Sequence, residues 1–156
     1  AKIVRLLIGG GAAVDQATTE DGTTPIFVAA QKGHTEVVRL LIGGGAAVNQ
    51  VRASNGIPPL YTAALQGYAE VVRLLIDGGA AVNQVCTTDA GLTPLYAAAE
   101  KGHIEVASLL ISSGATVNQA TSNGATPLCV AAGNGYTEIV SLLIDIGADT
   151  NQCMLR

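Results

Sequence analysis

A five-residue apolar segment recurs five times in this 156-residue chain: Val4 to Ile8, Val38 to Ile42, Val72 to Ile76, Ala107 to Ile111 and Val140 to Ile144. Successive spacings are 34, 34, 35 and 33 residues. A second marker follows each copy in step: Val14-Asp15-Gln16, Val48-Asn49-Gln50, Val82-Asn83-Gln84, Val117-Asn118-Gln119 and Thr150-Asn151-Gln152. A third precedes four of them: Thr24-Pro25-Ile26, Pro58-Pro59-Leu60, Thr93-Pro94-Leu95 and Thr126-Pro127-Leu128. Three markers in one register define an internal repeat, and a period in this range means an array of small supersecondary units.

Each unit reads as helix, turn, helix, loop, an all-α pattern. Thr24 suits an N-cap, and Pro25 suits the first helical position, where its missing N–H costs nothing. Ala29-Ala30 is small enough for a neighbouring helix to approach closely. Gly33 stops the helix because it takes the left-handed conformation without strain; Gly67, Gly102 and Gly135 match it. The second helix carries Val37, Val38, Leu40, Leu41 and Ile42 on a broad apolar face, with Arg39 pointing away. One such helix pair cannot bury its own apolar face, whereas a stack can.

The pattern T-P-L-x-x-A-A-x-x-G-H-x-E-V-V-x-L-L-I-x-x-G-A-x-V-N resembles the ankyrin repeat and runs from end to end of the chain. The resemblance implies an all-α solenoid of helix pairs joined by β-turn fingers, its concave face built from fingers and first helices. The markers divide residues 1–156, a single array, into a partial unit at 1–16 lacking its first helix. Full units follow at 17–50, 51–84, 85–119 and 120–152, with the start of a further finger or tail at 153–156. Departures from the family pattern are local. The slot after Thr-Pro-Leu, usually His, holds Phe27, Tyr61, Tyr96 and Cys129, and the slot after the inter-helix Gly alternates His34, Tyr68, His103 and Tyr136. Pro58 replaces the capping Thr, a loss of about 1 kcal/mol, and biases Ile57 towards an extended conformation. In the partial unit Ile3, Val4, Leu6 and Leu7 lack their partner helix, and neither end carries a polar capping unit. The expectation is therefore a slice of a longer array, open to self-association through the uncapped N-terminal half-repeat.

Composition narrows the function. Eight basic residues against twelve acidic give a net charge of −4 without a basic cluster, which argues against nucleic acid. Half the residues are hydrophobic, yet no window of about 20 is continuously apolar, so no membrane span is expected. A cytoplasmic protein without cofactor or metal is the expectation. His34 and His103 sit two units apart, roughly 20 Å at the usual helix spacing, too far to share a metal; each is read as bonding an inter-helix turn. Cys86 and Cys153 lie in loops two units apart, beyond disulfide reach. The reading is three free thiols, with Cys129 buried as a small apolar residue. The runs Gly9-Gly10-Gly11 and Gly43-Gly44-Gly45 follow a helix and lack the Lys-Ser/Thr of a phosphate loop; they are read as over-long C-caps that fray the last turn. Glu36, Glu70, Glu105 and Glu138 recur where an acid favours the helix dipole, a regularity unlike a catalytic pair. Arg5, Arg39 and Arg73 are read as a solvated convex ladder. No enzyme activity is expected.

Slots that repeat hold the fold, and slots that vary are left to carry specificity. The varying slots are the finger tips and the ends of the first helices. By the resemblance these contact a partner protein. Arg52, Asn55, Ile57, Leu65, Gln66, Asp89, Leu92, Glu100 and Lys101 form the candidate site. Ile57, Leu65 and Leu92 are apolar in slots expected to face the groove, with Arg52, Glu100 and Lys101 as a polar rim, the anatomy of a contact site. The competing expectation is that the longer fingers fold over and bury Ile57 and Leu92. The alternative function is a structural or self-stacking scaffold segment.

Overall fold

The Thr-Pro pairs start helices as their chemistry requires. The computed structural model describes residues 1–87 and 91–153. Among these residues the helices are α1 (Lys2–Gly9), α2 (Pro25–Gln31), α3 (Thr35–Gly43), α4 (Pro59–Gln66), α5 (Ala69–Asp77), α6 (Pro94–Lys101), α7 (Ile104–Ser112), α8 (Pro127–Gly133) and α9 (Thr137–Asp145), followed by a 3-10 turn, Asn151–Cys153. The hydroxyls of Thr24, Thr93 and Thr126 accept the backbone N–H three residues on, at 3.3, 3.1 and 3.3 Å. Pro58 offers α4 no such cap. No named strand occurs among the described residues; one isolated antiparallel bridge joins Arg52 and Ile57.

The helices form two rows. The first helices α2, α4, α6 and α8 pack side by side, as do the second helices α1, α3, α5, α7 and α9, and each first helix also packs on the second helix of its own unit. This is a helical solenoid, and its core runs unbroken between the rows. Ile26, Val38, Leu60, Val72, Leu75, Leu95, Val106, Leu110, Ile139 and Leu143 are buried there. Small residues set the close approach within the first row: Ala29, Ala30, Ala63, Ala64, Ala98, Ala99 and Ala131 are all buried.

The inter-helix glycines are needed for two reasons. Gly33, Gly67 and Gly102 have φ of +69, +77 and +77°, where side chains are strained. Each also lies under the ring of the following unit. A Cβ on Gly67 would stand 2.6 Å from His103 Nδ1, and one on Gly102 2.6 Å from Tyr136. His103 Nε2 sits 3.2 Å from the Leu65 carbonyl oxygen, so this histidine does bond an inter-helix turn, that of the unit before it.

The glycine runs end their helices in closed turns. Only the third residue of each run is left-handed, Gly11 at +84° and Gly45 at +86°, as are the equivalents Gly79, Gly114 and Gly147. The turn closes through Gly45 N–H to Ile42 O and Ala46 N–H to Leu41 O, both at 3.0 Å, as it does at Ala115 N–H to Leu110 O. The first two places of the run are not special: Asp77-Gly78, Ser112-Ser113 and Asp145-Ile146 fill them elsewhere.

The Val-Asn-Gln marker is the staple between units. Asn49 Oδ1 accepts Ala81 N–H at 2.8 Å while its amide donates to Gly79 O at 3.0 Å. Asn83 repeats both bonds with Thr116 and Gly114. Asn118 accepts from Asp149, and Asp15, which has no amide to donate, accepts from Ala47. On the exposed ridge of the second helices Arg5, Glu36, Arg39, Glu70 and Arg73 interleave at 3.2 to 3.6 Å. Exposed pairs of this kind contribute at most about 1 kcal/mol each.

At the N-terminal end Ile3, Leu6 and Leu7 are 72, 68 and 56% exposed. Beside them lies an apolar groove of about 150 Å³ bordered by Val4, Leu7, Ile8, Val14 and Val37. No helix among the described residues is long and apolar enough to cross a membrane.

Candidate functional site

Each finger is a short two-sided loop closed by backbone bonds: Thr18 N–H to Thr23 O at 2.9 Å, Arg52 N–H to Ile57 O at 3.0 Å, Cys86 N–H to Leu92 O at 3.0 Å and Thr121 N–H to Ala125 O at 2.9 Å. Neighbouring fingers touch through Ser54 N–H to Asp21 O at 3.1 Å and Thr87 N–H to Gly56 O at 3.3 Å.

Asp21 organises the first junction. It accepts from the Thr18 hydroxyl at 2.6 Å and the Thr23 N–H at 3.1 Å, and Arg52 reaches it with Nε at 2.9 Å and a terminal nitrogen at 2.7 Å. The Thr18 and Thr23 hydrogen bonds and the Arg52 guanidinium hold its carboxyl well below the usual carboxylate range. The same guanidinium lies 5.5 Å from the centre of the Phe27 ring. Arg52, expected on the rim of an apolar patch, is therefore engaged between the first and second fingers. Asn55 serves its own finger, accepting Ile57 N–H at 3.3 Å.

The three apolar candidates do come together. Ile57, Leu65 and Leu92 pack, half-buried, against a small cluster of buried Tyr61, Cys86 and Ala97, distinct from the core between the rows. The fingers thus shield Ile57 and Leu92 without enclosing them. Gln66 is exposed at the end of α4. Glu100 and Lys101 form an ion pair at 3.6 Å at the end of α6, and the Glu100 carbonyl accepts the Asn134 amide at 3.1 Å. Burial, and behind it the Glu100 charge, pushes the Tyr96 hydroxyl above its ordinary pKa. Asp89 lies outside the described residues.

The cysteine reading is corrected. Cys129 and Cys153 form a disulfide with Cα atoms 5.0 Å apart, and Cys129 is half-buried rather than buried. Cys86 is buried and takes no part in it. Weighing Cys86 against Cys153 misses the pair. The nearest signal lies in the register: 24 residues separate the bonded cysteines, and the contacts Phe27–Arg52 and Tyr61–Cys86 span 25. Among the described residues no group of three His, Cys, Asp or Glu side chains is placed to hold a metal.

The repeated unit, its paired rows and its fingers agree with comparison to known families. A family model described as ankyrin repeats (3 copies) matches residues 1–86 and again residues 79–153. A search of curated proteins finds no match. With nearly the whole chain matched, and each unit stacked on the next as that family requires, the protein belongs to the ankyrin repeat family.

Proposed function

We propose that this protein binds a partner protein, without catalysis, through the surface built from its fingers and first helices. Ankyrin repeats are generally protein–protein interaction modules and typically non-catalytic. The observation that supports this site is the half-buried group Ile57, Leu65 and Leu92. These residues occupy slots that the other units fill differently, so stacking alone does not require them. Gln66, Glu100 and Lys101 give the group a polar margin. A small apolar centre with a polar rim is how contact sites are built. Arg52 and Asn55 belong to the finger that frames it, and Asp89 is kept as a candidate from the sequence alone. The expected setting is the cytoplasm.

Leu65→Glu tests the reading. Affinity capture from a lysate of the source, with the wild-type chain as bait, identifies the partner. The substitution abolishes capture and leaves the melting temperature unchanged. A lowered melting temperature would show that Leu65 serves the fold instead. A second reading, self-association through α1, is favoured by the exposure of Ile3, Leu6 and Leu7. Light scattering over a concentration series separates the two, because only self-association gives a mass that rises with concentration and falls back with Leu6→Lys.

A further inference from the structure

The disulfide joins α8 to the beginning of the finger that follows it. Here the slot after Thr-Pro-Leu is bonded to the beginning of the next finger, 24 residues later. In the first two full units the same slot meets the next finger one residue further on, and without a bond: Arg52 lies over Phe27, and Cys86 packs with Tyr61. In the last full unit both partners are cysteines, and the contact is a bond. That bond ties the 3-10 turn Asn151–Cys153 to α8. The turn's other described ties are few. Asn151 N–H donates to Asp149 Oδ1 within the same segment, and Thr126 Oγ1 lies 3.8 Å from Cys153 Sγ. Cys129 and Cys153 are each half-buried, within reach of a small thiol, whereas Cys86 is only 2% exposed.

We propose that Cys129 and Cys153 are a redox-operated clasp on the C-terminal unit, closed as the disulfide over α8 and opened by a low-molecular-weight thiol such as glutathione. Opening is ordinary thiol–disulfide exchange. The small thiolate attacks one cysteine sulfur, the S–S bond breaks, and the other cysteine leaves as a thiolate and takes up a proton. A second small thiol attacks the mixed disulfide. The products are two protein thiols and one oxidised small-molecule disulfide, and the reverse reaction closes the clasp. Opening frees the turn from α8 and uncovers the Thr126–Cys129 end of that helix, on the finger side of the stack. In a reducing cytoplasm the clasp stands open, and in an oxidising compartment it closes.

The test uses the full chain, equilibrated in glutathione buffers from fully oxidised to fully reduced. Alkylation after denaturation counts thiols by intact mass. The expected counts are one modified cysteine in the oxidised buffer and three in the reduced. Hydrogen exchange on the same samples reads the turn. Amide exchange at residues 151–153 should rise at least tenfold on reduction, while α4 to α7 stay unchanged. Cys153→Ser and Cys129→Ser should each exchange like the reduced protein in every buffer. Three modified cysteines in the oxidised buffer, or equal exchange at residues 151–153 in both redox states, would overturn the proposal.

Discussion

The two loop edges of this stack face the same spacing problem and solve it differently. On the edge after the second helices, Asp15, Asn49, Asn83 and Asn118 each accept a backbone N–H of the next unit at 2.8 to 2.9 Å. On the finger edge the side chains at three described junctions differ. The first two each have a backbone bond, with the Asp21–Arg52 pair over Phe27 in the first and the Tyr61–Cys86 contact in the second, and the last has a disulfide. A uniform edge holds the register between units. Once it does so, the other edge is released to vary, and a surface free to vary is where recognition can be written.

The largest effect is expected where a repeated slot meets its neighbour. Gly67→Ala forces a left-handed alanine and drives its Cβ into His103. The backbone strain and the displaced ring together cost about 3 kcal/mol, so a thermal melt should fall by roughly 6–12 °C. Gly43→Ala should do the opposite. Gly43 is the last helical residue of α3, a methyl added there meets nothing within 4 Å, and alanine gains roughly 0.5–1 kcal/mol. A loss at Gly43 comparable to that at Gly67 would break the distinction between a structural glycine and a tolerated one.

Next come the staples. Asn83→Ala leaves Thr116 N–H without its acceptor and Gly114 O without its donor, and urea titration should show a loss of about 2 kcal/mol. Asp15→Asn should gain roughly 0.5 kcal/mol, because an amide there can donate to Gly45 O as Asn49 does to Gly79 O. If both substitutions were neutral, the uniform edge would not be what sets the register.

The smallest effect on stability is expected at the finger junction. Asp21 is held ionised well below the usual carboxylate range. A group whose folded pKa is lowered gives stability that is present above its unfolded value, about 3.9 for aspartate, and lost only as pH falls through the folded value. At pH 3 the junction should therefore still be intact. The Asp21 carboxyl shift, followed by NMR through an acid titration, should move below the usual aspartate range, and Arg52→Ala should move its midpoint up. An ordinary midpoint in the wild-type protein would show that the fingers are not joined this way.

These residues also show what is legible in the sequence. The rows and the buried alanines follow from three markers in register, because a slot that must face a copy of itself cannot drift. That Ile57 and Leu92 lie on one edge is legible for the same reason, since they hold equivalent slots in adjacent units, whereas Leu65 joins them from the end of α4. The partner of each slot is harder. Repetition marks Asn83 as constrained but does not say that its bonds go to Thr116 and Gly114. Arg52 reads as a rim residue in the sequence because its partner, Asp21, lies 31 residues back, at a different slot of the preceding finger. The disulfide escapes any weighing of the cysteines by loop, because the fold pairs them through the 24-residue interval instead. Contacts made once, between unlike slots, leave no periodic trace.

The account rests on units that share a core only with their neighbours, and excising one tests that most directly. A chain lacking residues 85–119 joins Gln84 to Ala120 and lays α8 and α9 against α4 and α5. It should keep its helical signal per residue and melt in one cooperative step at a lower temperature, with Tyr136 taking the place of His103 over Gly67. Loss of the helical signal, or a melt without a transition, would contradict a stack of interchangeable neighbours.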